Sequence, residues 1–333
     1  MRRRRAVITT AVAAVVGLSI AACSSDPATP GASSSPPEPT TLRSFPSAAP
    51  GDLVGLVADD ERRVVAWLTR NSGTVVELAV DDPSAEPVVV AQLAVSVDSQ
   101  QGGLLGQAVV DGRRHLAWTT PSANELVVGT VDEDGTASIG WSAGAAGDGA
   151  IGGTLVGTDD GAIVMTVGRN TAFDAETETG GAVLRFDDAA LEAGPDVISV
   201  GYTNPWATAV VGDEIWVWDN AAGPDPDDPE VDDVERFGRA DLGDRDSFVR
   251  SSVTDRAPTA IVELPDGRLG VCGFLDNELR AYDVVDGETG ERTLLERAGT
   301  IMPCNAGAAV FSDGTIVTLA QTVDGETLQI LRP

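Results

Sequence analysis

Few side chains in this 333-residue sequence are placed to do covalent or metal chemistry. Ile20-Ala21-Ala22-Cys23 follows Arg2 to Arg5 and the apolar run Ala6 to Ile20. That is the layout of a secretory signal ending in a bacterial lipobox, in which the Cys23 thiol is acylated and becomes the new N-terminus. Cys272 and Cys304 form an even pair that oxidising conditions outside the cytoplasm would bridge, with two buried free thiols as the alternative. His115 is the single histidine and lies within an apolar-alternating run, so it reads as a strand residue rather than a base. The acidic run Asp225, Asp227, Asp228, Glu230, Asp232, Asp233 and Glu235 has the composition of a calcium site. It lacks the ordered Asp spacing and terminal Glu of a calcium loop, and reads as a solvated loop.

Charge and composition exclude further classes. The net charge is −30, falling to about −34 once Arg2 to Arg5 are removed, which would repel nucleic acid and anionic lipid. No lysine occurs, so Schiff-base and phosphate-loop chemistry are absent. No Cys-His cluster is spaced to bind a metal. The apolar run before Cys23 is shorter than the roughly 20 residues of a spanning helix.

The elements that must position any site follow from a repeat. An Asp-led turn followed by a strand recurs at Asp59-Asp60, Asp111, Asp160, Asp213, Asp266 and Asp313, close to every 50 residues. Most copies continue into a second strand: Thr74 to Val80, Glu125 to Val131, Ala182 to Phe186, Glu278 to Val284 and Glu326 to Leu331. These segments are short, apolar or alternating, and bounded by Gly, Asp or Pro. The fold class expected is all-β, a six-bladed β-propeller over residues 51–333, with a sandwich as the alternative. A signal peptide occupies residues 1–22. Cys23 and a Ser/Pro-rich tether occupy residues 23–50. Propeller ligands collect over the channel, which directs attention to Val97 to Gly106, Gly147 to Thr154 and Asp219 to Asp246. Trp67, Trp118, Trp216 and Trp218 sit on strands and read as core, whereas Trp206 is expected in a loop over the channel, as a ligand platform.

Gly102 to Gly106, Gly152 to Gly168, Gly180 to Asp187 and Val197 to Val210, in this order, resemble the glucose/sorbosone dehydrogenase family. The resemblance implies a six-bladed propeller that oxidises sugars with pyrroloquinoline quinone (PQQ) and Ca2+. It places Gln101 and Asn204 at quinone-contacting positions and Gly223-Pro224 where backbone carbonyls would bind calcium. It also implies losses. The general base is expected at a position held by Ala150. Thr203, Asp276, Cys304 and Ala306 stand at or near positions where cations would meet the quinone carboxylates. A Cys272–Cys304 bridge would then staple the two loops that lost those cations. Proton abstraction from a sugar hydroxyl needs a base within hydrogen-bond reach, and alanine offers none.

The expected protein is a cell-membrane lipoprotein on the extracytoplasmic face. Its propeller would lack dehydrogenase activity and bind a carbohydrate-like ligand or an envelope protein around Gln101, Asn204 and Trp206. The alternatives are a PQQ-dependent aldose dehydrogenase with an altered site, and a structural or assembly lipoprotein.

Overall fold

Asp111 and Gly112 both adopt positive φ, 49° and 73°, as a two-residue hairpin turn requires. They join strand Leu104–Val110 to strand Arg113–Thr119. Each of the six Asp-led turns makes the equivalent connection, from the innermost to the second strand of a four-stranded antiparallel sheet. A computed structural model of the chain describes residues 41–45, 52–98, 101–132, 134–147, 149–170, 172–173, 179–220, 235–244, 249–250, 257–286, 292–322 and 325–333.

Blade 1 runs, from inside outwards, through Leu53–Asp59, Val64–Thr69, Thr74–Ala79 and Val88–Gln92. Blade 2 uses Leu104–Val110, Arg113–Thr119, Glu125–Val131 and Ala137–Ala145. Blade 3 uses Gly152–Gly157, Ala162–Val167, Ala182–Asp187 and Asp196–Val200. Blade 4 uses Pro205–Val211, Glu214–Asp219, Arg236–Arg239 and Val249–Arg250, so the acidic run falls between its second and third strands. Blade 5 uses Pro258–Glu263, Leu269–Gly273, Glu278–Asp286 and Arg292–Met302. Blade 6 has Gly307–Val310, Ile316–Thr322 and Gly325–Leu331, and its outermost strand is Thr41–Phe45 from the other end of the chain.

The expected six-bladed propeller is therefore what the chain forms, but it begins earlier than Gly51. Thr41–Phe45 lies in the segment read as tether, and pairs with Gly325–Leu331 from Thr41↔Ile330 to Phe45↔Glu326. Its five residues, flanked by Ser and Pro, are too short to stand out from a low-complexity run. Across the closed joint, Phe45 stacks on Trp67 of blade 1, with centroids 6.2 Å apart. Arg43 donates to the backbone carbonyls of Asp82 and Ala85. Arg63 reaches Asp81 at 2.9 Å and Asp313 at 3.0 Å, and lies 4.4 Å above the Phe311 ring.

Alternating strands put apolar side chains on both faces of each blade, and six buried clusters fill the six junctions between neighbours. Trp67, Trp118, Trp216 and Trp218 all lie in these clusters, at 5% exposure or less, as expected for core. Cys272 and Cys304 are bridged, tying the second strand of blade 5 to the segment leading into blade 6. His115 is fully buried on the second strand of blade 2, its Nε2 2.8 Å from Asp188 Oδ1 but not aligned as a hydrogen bond. Asp188 opens a short 3-10 turn of blade 3 and also receives Arg113 at 3.3 Å. Among the described residues no helix is long and apolar enough to cross a membrane.

The packing makes two substitutions informative. A Cβ on Gly106 would lie 2.1 Å from the Gly153 carbonyl oxygen and 2.7 Å from the Leu155 nitrogen, both backbone atoms of the next blade. Gly106→Ala should destabilise by about 1–3 kcal/mol, read from denaturant midpoints, because backbone cannot yield as a side chain does. Burial depresses the His115 pKa, with Asp188 opposing the shift and Arg113 adding to it. The unfolded chain, with a histidine pKa of about 6.5, then takes up the proton first, so stability falls as pH drops below that value. His115→Gln should flatten the melting temperature profile between about pH 7 and 5.

Candidate functional site

The innermost strands share a local irregularity that sequence periodicity does not reveal. Pairing slips between Val54 and Val57, Leu104 and Gly106, Gly152 and Leu155, Pro205 and Ala207, and Pro258 and Ala260. A bulge leaves a residue unpaired and re-aims its side chain. Gly55, Leu105, Thr154, Trp206 and Thr259 are the residues so placed, and all five line the cavity on the propeller axis. That cavity measures about 70 Å³, room for roughly two water molecules. Trp206 is thus not in a loop above the channel. It lies on the innermost strand of blade 4, half-buried against the clusters of blades 1 to 3, and its carbonyl accepts from Thr154 Oγ1 at 2.6 Å. A cavity of this size is too small for a sugar.

At the mouth, Gln101 and Ala150 are brought together across fifty residues of sequence. Gln101 Oε1 accepts the Ile151 backbone N–H at 3.0 Å. The Ala150 methyl packs against Gly168, at the end of the second strand of blade 3, where any side chain on the glycine would collide with it. Asn204 sits one segment further round. Asp219, fully buried, accepts the backbone N–H groups of Thr203 at 3.1 Å and Asn204 at 2.6 Å, which folds Thr203-Asn204-Pro205 into the turn that starts blade 4. The Asn220 backbone N–H donates to the Asn204 carbonyl at 3.0 Å, and its side-chain amide donates to Pro258 O at 3.0 Å. The side-chain oxygens of Asn204 and Asn220 are both buried without a protein hydrogen-bond partner.

Two cations at this face were missed by sequence reasoning. Arg70 and Arg169 each follow a second strand in the same pair, Arg-Asn, in blades 1 and 3. The Arg70 carbonyl accepts from Leu104 N at 2.9 Å, beside the Gln101 turn, and Arg169 N donates to Thr203 O at 2.8 Å, beside Asn204. The shared Arg-Asn pair was the available signal. Asp276 pairs with Arg280 at 3.4 Å, and Cys304 is consumed by its disulfide.

Gly223, Pro224 and Cys23 lie outside the described residues, as does the acidic run except Glu235. Glu235 is buried, and its carboxylate accepts from Trp218 Nε1 at 3.2 Å and Ala257 N at 2.8 Å, so it is a packing residue. No group of three or more metal-ligating side chains converges among the described residues.

The amide oxygens of Asn204 and Asn220 are acceptors of the kind a hydroxyl group donates to. The Ala150 side chain offers no proton acceptor, and the single histidine is sealed between blades 2 and 3.

No protein-family profile matches the chain, and no curated protein matches it. Solved structures do. A glucose dehydrogenase-type oxidoreductase from Thermus thermophilus aligns at TM-score 0.66 and 16% identity, over 87% of this chain and 99% of its own. PQQ-bound aldose sugar dehydrogenase from Streptomyces coelicolor gives 0.64 and 15%, over 89% and 99%. A gluconolactonase from Xanthomonas campestris gives 0.54 and 14%, over 88% and 89%. The fold is that of the sugar dehydrogenases. At these identities the likeness extends to the fold alone, and the fold carries at least two reactions.

Proposed function

We propose that this protein is a lipid-anchored propeller at the extracytoplasmic face of the cell membrane that binds a neutral, carbohydrate-like ligand over its channel mouth without oxidising it. The observation that carries this reading is that the Asn204 and Asn220 amide oxygens are buried without a hydrogen-bond partner among the described residues, at a mouth where Ala150 takes the place of a base. A buried polar atom without a partner costs roughly 1–3 kcal/mol, and a hydroxyl-rich ligand towards which the Asn204 amide turns would remove that cost. Gln101 supports the same geometry indirectly, since its side chain is spent on holding the Ala150-Ile151 segment. Anchoring rests on the Ile20-to-Cys23 motif, and the acidic composition disfavours nucleic acid as partner.

Isothermal titration with a panel of aldoses and disaccharides tests the binding. A saturable sugar whose affinity falls about tenfold in Asn204→Ala is the expected result. Absence of any saturable sugar would transfer the protein to an assembly role. Reconstitution with PQQ and Ca2+ followed by dye reduction tests the chemistry, and turnover of any aldose would overturn the non-catalytic reading. Cys23→Ser should move the protein from the membrane fraction to the soluble one, and mass spectrometry of the wild type should find the acylated cysteine.

A further inference from the structure

On the face opposite the mouth, where the Asp-led hairpin turns lie, a cleft of about 410 Å³ opens between blades 1 and 2. Its floor is charged and built. Glu77, 6% exposed, takes a two-pronged contact from Arg62 at 2.8 and 2.6 Å and a second arginine, Arg114. Arg114 also donates to Gln107, whose amide is anchored on the Gly55 and Ala66 carbonyls at 2.6 and 2.9 Å. Two guanidinium groups therefore share the buried Glu77 carboxylate, and Asp59 lies 3.7 Å from Arg62. A guanidinium has five N–H donors, and the bonds to Glu77 and Gln107 use only part of that capacity. At the rim, Asp132 is exposed and forms no ion pair among the described residues. Between floor and rim, Val90, Val109 and Val131 supply an apolar wall.

We propose that this cleft binds a small zwitterion of the α-amino-acid kind with an apolar side chain. Its carboxylate would lie on the Arg62–Arg114 pair, its ammonium on Asp132, and its side chain on the three valines. A plain anion is disfavoured by the −30 charge of the chain, and a plain cation by the two guanidinium groups it would have to face. A molecule carrying both charges and no net charge meets neither obstacle. Burial pulls the Arg114 pKa down against the attraction of Glu77 and Asp59.

The test uses L-leucine with two truncated analogues, 4-methylpentanoate lacking the ammonium and isoamylamine lacking the carboxylate. Leucine should raise the melting temperature saturably, and each analogue should bind at least about tenfold more weakly. Asp132→Asn, an exposed change that leaves the ligand-free melting temperature in place, should abolish the preference for leucine over 4-methylpentanoate. Arg62→Gln should weaken leucine by a similar factor. No saturable leucine effect up to about 10 mM, or wild-type leucine binding in both variants, would overturn the proposal. Asn204→Ala should leave leucine binding unchanged, so this site and the channel mouth stand or fall separately.

Discussion

The ring has to close, and it closes on five residues. Thr41–Phe45 fills the outer position of blade 6, so segments from the two ends of the chain share one sheet. The chain runs on from Phe45 in blade 6 to Leu53 in blade 1, so the non-covalent closure lies inside blade 6, where Thr41–Phe45 pairs with Gly325–Leu331. The contacts between blade 6 and blade 1 hold that outer strand in place. Leu53, Val65, Trp67, Phe311, Val317 and Leu328 form the buried cluster there. Around it, Arg43, Arg63 and Arg332 stitch carbonyls and carboxylates of the two blades, with Arg332 meeting Asp81 at 2.9 Å and Val80 O at 3.0 Å. Asp81, Asp313 and these arginines are partly exposed, so each pair is worth about 0–1 kcal/mol and the apolar cluster dominates.

Closure also fixes how close the innermost strands approach one another. Gly106 faces backbone of blade 3, and Gly307 would place a Cβ 2.8 Å from the Leu56 side chain of blade 1. Small residues on the axis allow that approach, and the bulges next to them turn Leu105, Thr154 and Trp206 inward to fill what space remains. Chemistry is thereby pushed to two places: the mouth, where segments between blades converge, and the clefts between blades on the hairpin-turn face.

Much of this architecture was legible in the chain. Asp-Gly turns demand particular backbone angles, and strands with apolar residues on both faces show as apolar runs; both signals are local, so the hairpins and third strands could be read residue by residue. What failed to show is what depends on pairing across sequence. Thr41–Phe45 has no alternation long enough to separate it from its Ser/Pro surroundings. Trp206 follows Asn-Pro and so reads as a loop residue, whereas a bulge in a strand register decides where it points. Arg70 and Arg169 become neighbours of Gln101 and Asn204 only once the blades are placed round an axis. The Arg62–Glu77–Arg114 cluster joins two blades, and no spacing within either repeat marks it.

The mouth illustrates why a shared fold is a weak guide to a shared reaction. Gln101 and Asn204 occupy positions that a resemblance marks as ligand contacts, yet both also carry structural duties. Gln101 holds Ile151, and the Asn204 backbone is held by Asp219. A backbone that needs those polar contacts will keep the residues whether or not a cofactor is bound. Ala150 carries no such duty beyond packing on Gly168, so its identity reports on chemistry more directly than theirs does. In the function proposed above, the residue that separates binding from catalysis is therefore the one the scaffold does not need, and it offers a methyl group.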